Sequence, residues 1–121
     1  MKRHPLLQSL SREHQPALSL AVRLKRADAG QAVSVFAQLD QPALLAHFEE
    51  EERDWLPLLL ADDERPLRER TLAEHRQLRA QLAAISDGDS AQIADFAMTL
   101  EAHVRFEERE LFPLIERHLP G

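Results

Sequence analysis

The apolar residues of this chain recur every three to four positions through four long segments, a pattern typical of amphipathic helices. Pro42, shortly after Asp40 in the second segment, should either bend that helix or restart it with Asp40 as the N-cap; we treat the segment as one bent helix. The loop Ser86–Ser90 is the clearest break in the pattern. The four helices are predicted over roughly residues 9–28, 31–60, 66–85 and 90–118.

The composition favours helix throughout. Ala, Leu, Glu, Arg and Gln dominate the 121 residues, while glycine occurs three times and β-branched residues are sparse. A chain of this length can bury a core without disulfides or a structural metal. We therefore predict an all-α fold, an antiparallel up-down four-helix bundle that forms one domain over residues 1–121.

The charge and the lack of cysteine exclude several classes of function. The formal net charge is −6, and the 15 Lys and Arg residues are interspersed with acids, so no basic face for nucleic acid is expected. No apolar run approaches a membrane span, and the first residues lack the apolar segment of a signal peptide, so we expect a cytoplasmic protein with no membrane partner. Without cysteine, any metal must take nitrogen and oxygen ligands.

A thirteen-residue segment occurs twice in near copy, at 47–59 and at 103–115. A histidine, two glutamates, an arginine, a proline and a leucine recur at the same offsets. Each copy follows a Glu-His pair on the preceding helix, Glu13-His14 in the first half and Glu74-His75 in the second. The chain therefore contains a duplicated helical hairpin. The two halves cover approximately residues 9–60 and 66–118.

In each copy a glutamate follows the histidine by four residues, so the two side chains share one helix face and could bind a single ion. This spacing alone is weak evidence, because about one such pair is expected by chance in a chain so rich in His and Glu. Whether the pairs indicate a metal site therefore depends on whether they lie on the apolar stripes that face the core. The pairs are His47 with Glu51 and His103 with Glu107.

Both glutamates lie on the stripes that should face the core. Glu51 and Glu107 are in register with leucines one heptad away on either side, and His14 and His75 also lie between leucines. An ionised carboxylate in a core costs several kcal/mol unless it is paired or bound to a metal. No Lys or Arg lies on these stripes. We infer that a metal supplies the missing positive charge.

Each of these residues also has an ordinary structural role open to it. Any one histidine would more often be an ordinary core residue, and only the set from four helices favours a metal. Glu52 and Glu108 point about 140° from their histidines and are expected in solvent, although each could exchange roles with its neighbour. Glu13 and Glu74 face away from the adjacent histidine, so a contact behind the ligands is the less expected role. Exposed positions are also expected for Glu49, Glu50, Glu110, His4 and His118.

The order of these motifs resembles the hemerythrin family, specifically the hemerythrin-like domains described as HHE cation-binding. The shared pattern is a His, then H-x-x-x-E-E with a Pro ten residues after its His, then Glu-His, then the same motif and Pro again. It covers essentially the whole chain. The resemblance implies a four-helix bundle that holds a non-haem di-iron centre, with bridging carboxylates, histidine ligands and an oxo or hydroxo bridge between the two iron ions. By position, it assigns the ligand roles to His14, His47, Glu51, His75, His103 and Glu107, with Glu51 and Glu107 as bridges.

One departure from the family pattern changes the functional prediction. Oxygen-carrying hemerythrins have a second histidine one turn from the first on the third helix, where this chain has Thr71 and Arg79. The carriers also place the fourth-helix carboxylate five residues after its histidine, which keeps Glu108 as an alternative. Counting ligands leaves roughly two open positions on two octahedral ions. A more accessible centre than that of a pure carrier is therefore expected.

The leading hypothesis is a small di-iron protein that binds dioxygen or nitric oxide for sensing, storage or delivery of gas or iron. A second hypothesis is a di-iron enzyme that reduces peroxide or nitric oxide, or oxidises ferrous iron. A third is a metal-free or zinc-bound interaction module. No catalytic residue stands out beyond the ligands, so a binding protein is preferred to an enzyme.

Overall fold

The computed structural model describes residues 2–121, and these residues are helical almost from end to end. The last two of the six α-helices continue one another through a widened turn, so five helical rods pack together. The predicted all-α bundle is confirmed. The helices are α1 Gln8–Arg26, α2 Ala29–Phe36, α3 Gln41–Glu50, α4 Arg65–Ser86, α5 Ile93–Phe106 and α6 Phe112–Glu116.

The prediction of one bent helix over 31–60 is wrong, because the structure divides this segment in two. Helix α2 ends at Phe36, and α3 begins after Asp40, whose carboxylate accepts a hydrogen bond from the Ala43 backbone N–H at 3.1 Å. Pro42 then stands in the first turn of α3, where a missing N–H leaves no helical bond unmade. The cap and the proline together start a new helix, and this helix carries the first copy of the repeated segment.

Both copies of the repeated segment contain a widened π turn that begins at the glutamate four residues after the histidine. The N–H of Leu56 donates to the carbonyl of Glu51, and the N–H of Phe112 donates to that of Glu107, so each bond spans five residues. A proline stands two residues after the end of each turn, and it has no N–H with which to continue the α-helical pattern. π turns are frequent at functional sites, and these two mark equivalent positions in the two halves. They cover Glu51–Trp55 and Glu107–Leu111.

The apolar core consists of two separate clusters. The large core cluster fills the bundle around α2 and the middle of α4 and α5, while the small core cluster lies where the two chain termini meet. Members of the large core cluster include Leu20, Leu24, Phe36, Phe48, Leu78, Phe96 and Leu100. Members of the small core cluster are Leu7, Leu10, Leu56, Leu59, Phe106, Leu111, Phe112 and Ile115.

Buried polar side chains lie between the two clusters. On α1, for example, His14 lies between Leu10 of the small core cluster and Ala17 of the large core cluster. We call this set the polar layer. The polar layer comprises His14, His47, Glu51, His75, His103 and Glu107, each at most 5% exposed.

Among the helices of residues 2–121, none combines the length and the apolar run that a bilayer span requires.

Candidate metal centre

The polar layer divides into two overlapping groups, each of which places four candidate ligand atoms within 4.8 Å of one another. One group takes its imidazoles from His14 and His47, and the other from His75 and His103. Glu51 and Glu107 belong to both groups. The six residues named from the sequence are therefore brought together, and the arrangement is that of a binuclear metal site.

Each shared carboxylate offers one oxygen to each group. Glu51 Oε2 lies 3.1 Å from His47 Nε2, and its other oxygen lies 3.1 Å from His75 Nε2. Glu107 repeats this arrangement, with Oε1 2.9 Å from His14 Nε2 and Oε2 3.1 Å from His103 Nε2. A carboxylate in this position can bridge two cations, which accounts for the presence of two glutamates among four histidines.

Most of the inward atoms of the layer are buried without a hydrogen-bond partner in the protein. Buried polar atoms are rarely left unpaired, because desolvation without a bond costs about 1–3 kcal/mol each. Imidazole nitrogens facing carboxylate oxygens at these distances need a proton or a cation between them. The donor set therefore fits two cations that accept nitrogen and oxygen ligands. The unpaired atoms are His47 Nε2, His75 Nε2, His103 Nε2, both oxygens of Glu51 and Oε2 of Glu107.

The outer nitrogen of each histidine donates to a further carboxylate. Nδ1 of His47 donates to Glu13 at 2.8 Å, and Nδ1 of His103 donates to Glu74 at 2.6 Å. In both cases the glutamate comes from the Glu-His pair of the same half, on α1 for Glu13 and on α4 for Glu74. A proton on Nδ1 leaves the lone pair of Nε2 pointing into the layer, which is the tautomer that a metal requires.

The remaining two histidines take their carboxylates from the opposite half of the chain. Nδ1 of His75 donates to Glu52 at 2.7 Å, and Nδ1 of His14 contacts Glu108 at 2.5 Å. Glu52 is held in turn by Arg79, with hydrogen bonds of 2.8 and 3.2 Å. We call Glu13, Glu52, Glu74 and Glu108 the outer carboxylates. They link the two halves of the site in a reciprocal pattern.

The outer carboxylates correct two expectations from the sequence. Glu52 and Glu108 were expected in solvent, but their side chains are 26% and 31% exposed and each bonds a histidine. Glu13 and Glu74 face away from the adjacent histidine as expected, but each bonds another histidine of the same half, so the contact behind the ligands that was the less expected role is present. The sequence feature that could have indicated these contacts is the recurrence of Glu-His and Glu-Glu at equivalent places in both halves.

The terminal histidines take no part in the layer. His118 is exposed and pairs with Glu64, whose pKa this contact holds below its ordinary value. His4 contacts the carbonyl of Pro120 at 2.8 Å through Nε2. The His118 contact ties the C-terminal segment to the bundle, the His4 contact joins the two chain ends, and neither histidine reaches the buried cluster.

The carboxylates of the layer hold protons on the histidines in the absence of a cation. Burial lowers the pKa of His47, but the facing carboxylates of Glu107 and Glu51 outweigh burial and raise it to about 11. Burial also lowers the pKa of His103, and mainly Glu107 raises it to about 10. Burial raises the pKa of Glu107, yet the facing histidines bring it well below its ordinary value. An incoming cation must therefore displace protons, so metal binding is coupled to proton release.

Fold and site together define a helical bundle with a buried binuclear His/Glu cluster suited to cations. Residues 4–115 match the family described as Hemerythrin HHE cation binding domain. The chain belongs to this family, and the resemblance inferred from the motifs is confirmed. Comparison with curated proteins and with solved structures gave no significant match.

Proposed function

We propose that the chain binds two iron ions in the polar layer and takes up dioxygen or nitric oxide there, for sensing, storage or delivery of the gas or of iron. The observation that carries this proposal is the pair of shared carboxylates, because Glu51 and Glu107 each offer one oxygen to either group of histidines. Iron in this layer would supply reversible ligation of a small gas. The proposed ligands are His14, His47, Glu51, His75, His103 and Glu107.

The ligand count supports an open centre. Four imidazoles and two bridging carboxylates would supply about eight contacts, and an oxo or hydroxo bridge about two more, where two octahedral ions take about twelve. Neither residue one turn from His75 adds a ligand: the hydroxyl of Thr71 donates to the carbonyl of Leu67 at 2.8 Å, and Arg79 is paired with Glu52. About two positions therefore stay available to an external molecule.

Aromatic side chains hold two of the histidines in place and limit water near them. Phe48 stacks on His75 with ring centres 4.2 Å apart, and Phe112 stacks on His14 at 5.3 Å with the planes only 6° apart. Both phenylalanines are at most 1% exposed. These ring contacts cover one face of each imidazole and keep its orientation fixed, which favours a stable centre for reversible binding of a gas.

Metal analysis combined with an absorption spectrum tests this proposal. The protein is loaded with ferrous iron without oxygen, the bound iron is counted, and dioxygen or nitric oxide is then admitted and removed. We expect about two iron ions per chain and a spectral change that reverses when the gas is removed. Colourless protein that holds no iron after reconstitution, or holds only zinc, would contradict the proposal and favour an interaction module.

A second candidate function is a di-iron enzyme that reduces peroxide or nitric oxide, or oxidises ferrous iron. The observation that favours it is a cavity beside the layer, lined in part by His14, His47 and His103, through which substrate would enter and product leave. Consumption of substrate by the iron-loaded protein distinguishes the two functions. A binding protein returns its ligand unchanged, whereas an enzyme consumes many equivalents per centre.

A further inference from the structure

A cavity of about 410 Å³ runs beside α1, α3 and α5 and ends at the polar layer. Its inner end is formed by three histidines of the layer, and its outer end by Arg23 together with Gln38 and Asp40 from the turn before α3. The walls between these ends are apolar. They include Ala17, Leu20, Leu39, Leu44, Phe48 and Val104.

The cavity is much larger than a diatomic gas requires. A water molecule takes about 30 Å³ in the liquid, and dioxygen is of similar size. Sites for small organic molecules are typically about 300–1,000 Å³, mostly apolar, with a few polar groups that fix the orientation. In both size and lining, this cavity matches a site for an organic molecule.

Arg23 is the cationic group of this cavity, and its charge is unpaired within residues 2–121. Its Nη2 donates to the neutral Gln38 side chain at 2.7 Å, and no carboxylate lies within ion-pair distance. Lys25 and Arg105, in contrast, are both paired with Glu101. A guanidinium has five N–H donors in a fixed plane and suits a carboxylate, so Arg23 has donors left for an anionic ligand.

The charges along the cavity set the direction of such a ligand. Glu13 lines the inner end beside His47 and would repel a carboxylate there. Asp40 lies at the outer end, but its carboxylate accepts the N–H of Ala43 at the start of α3, where the positive end of the helix dipole partly offsets its charge. An anionic group is therefore favoured at Arg23 and disfavoured near the histidines.

The length of the cavity sets the size of the ligand. Helix α1 rises about 1.5 Å per residue, so Arg23 lies about 13 Å along the axis from His14. We propose that the cavity binds an aliphatic monocarboxylate of medium chain length, with its carboxylate on Arg23 and its apolar chain directed toward the polar layer. This site is distinct from the ion and gas sites, and it does not depend on which metal is bound.

Calorimetric titration with octanoate, and with octanol as its neutral counterpart, tests the proposal on zinc-loaded and metal-free full-length protein. We expect octanoate to bind at least about tenfold more tightly than octanol, because only the carboxylate uses Arg23. The substitution Arg23→Gln should remove this advantage and leave octanol binding unchanged. Arg26→Gln is the matched control, because Arg26 is on the same helix but does not line this cavity.

A second pair of variants tests the location without removing a charge. Ala43 is exposed on α3 and lines the cavity, so Ala43→Leu should weaken both ligands by narrowing the outer end. Ala46→Leu adds the same side chain on the same helix outside the cavity lining and should change neither. Melting temperatures of both variants report whether they are folded.

Three results would overturn the proposal. Equal binding of octanoate and octanol would remove the role of Arg23. Octanoate binding that survives Arg23→Gln but disappears without zinc would place the carboxylate on the metal, in the reverse orientation. No binding by folded protein would leave the cavity as solvent space. Metal content is measured on the same samples, so failure of this site is distinguishable from failure of the metal site.

Discussion

Replacement of Glu74 by Gln measures what an outer carboxylate contributes to metal binding. Glu74 accepts the Nδ1–H of His103 at 2.6 Å, and its side chain is only 20% exposed. A charge-assisted hydrogen bond of this kind contributes about 1.5–3 kcal/mol. The amide of Gln keeps a neutral acceptor but removes the charge that makes the imidazole a stronger ligand. We therefore expect a loss of about 1.4–2.7 kcal/mol, or 10- to 100-fold, in metal affinity.

The assay is an anaerobic titration of ferrous iron against a chelator of known affinity. Glu69→Gln is the matched control, because Glu69 is an exposed residue of the same helix and lies outside the outer carboxylates. Glu13→Gln should have a smaller effect than Glu74→Gln, since the Glu13 side chain is 53% exposed and its contact with His47 is partly screened by water. Glu74→Ala should have a larger effect, because it leaves Nδ1 of His103 without its partner.

The reasoning fails if folded Glu74→Gln and Glu74→Ala proteins bind iron as tightly as the Glu69→Gln control. That result would mean that the orientation of His103 is fixed by packing alone. The order of effects is a second check. A larger loss for Glu13→Gln than for Glu74→Gln would contradict the dependence on burial.

Three further predictions concern the ligands, the protons and the packing of the site. His103→Ala should lower both iron content and melting temperature, while His118→Ala should keep full iron content; equal iron in both variants would exclude the layer as the metal site. Metal-free protein should lose stability in urea titrations as the pH rises above about 6.5, by up to about 1.4 kcal/mol per pH unit for each histidine. The reason is that the folded chain keeps protons on His47 and His103, whose pKa values are about 11 and about 10, whereas the unfolded chain releases these protons. The loaded protein should lack this decline, and a flat profile for the metal-free protein would refute the proton assignment. Phe48→Ala should cost about 3–5 kcal/mol of unfolding free energy, because the ring is 1% exposed and stacks on His75; a loss below about 1 kcal/mol would show that the site does not depend on this packing.

The apolar pattern was sufficient to predict the helical class and the inward face of each helix, but not every break. The stripe continues from Phe36 to Leu44 with little interruption, so periodicity alone could not separate α2 from α3. The Asp40 cap and Pro42 indicated a restart, and the structure uses both. Local capping chemistry therefore outweighed hydrophobic periodicity at this point.

The six residues of the polar layer lie together because they occupy core stripes, which a sequence can indicate. The outer carboxylates were missed for a geometric reason. The spacing within one helix relates a glutamate only to histidines of that helix, whereas Glu52 bonds His75 and Glu108 bonds His14 across the bundle. Angles on one helix contain no information about partners on another. Only the recurrence of these glutamates in both halves could have indicated their role, and binding of a metal by the layer stays a prediction.

The division of the core into two clusters has a consequence for cooperativity. The small core cluster packs residues near both chain termini, and Arg3 ties the start of the chain to Glu116 at 2.9 Å. Between this end and the large core cluster lies the polar layer, whose two carboxylates are neutralised either by bound cations or by protons on the facing histidines. With ions bound, the bundle should exchange its amide hydrogens as one unit. Once the ions are removed at high pH, the terminal end should open first, as a separate foldon.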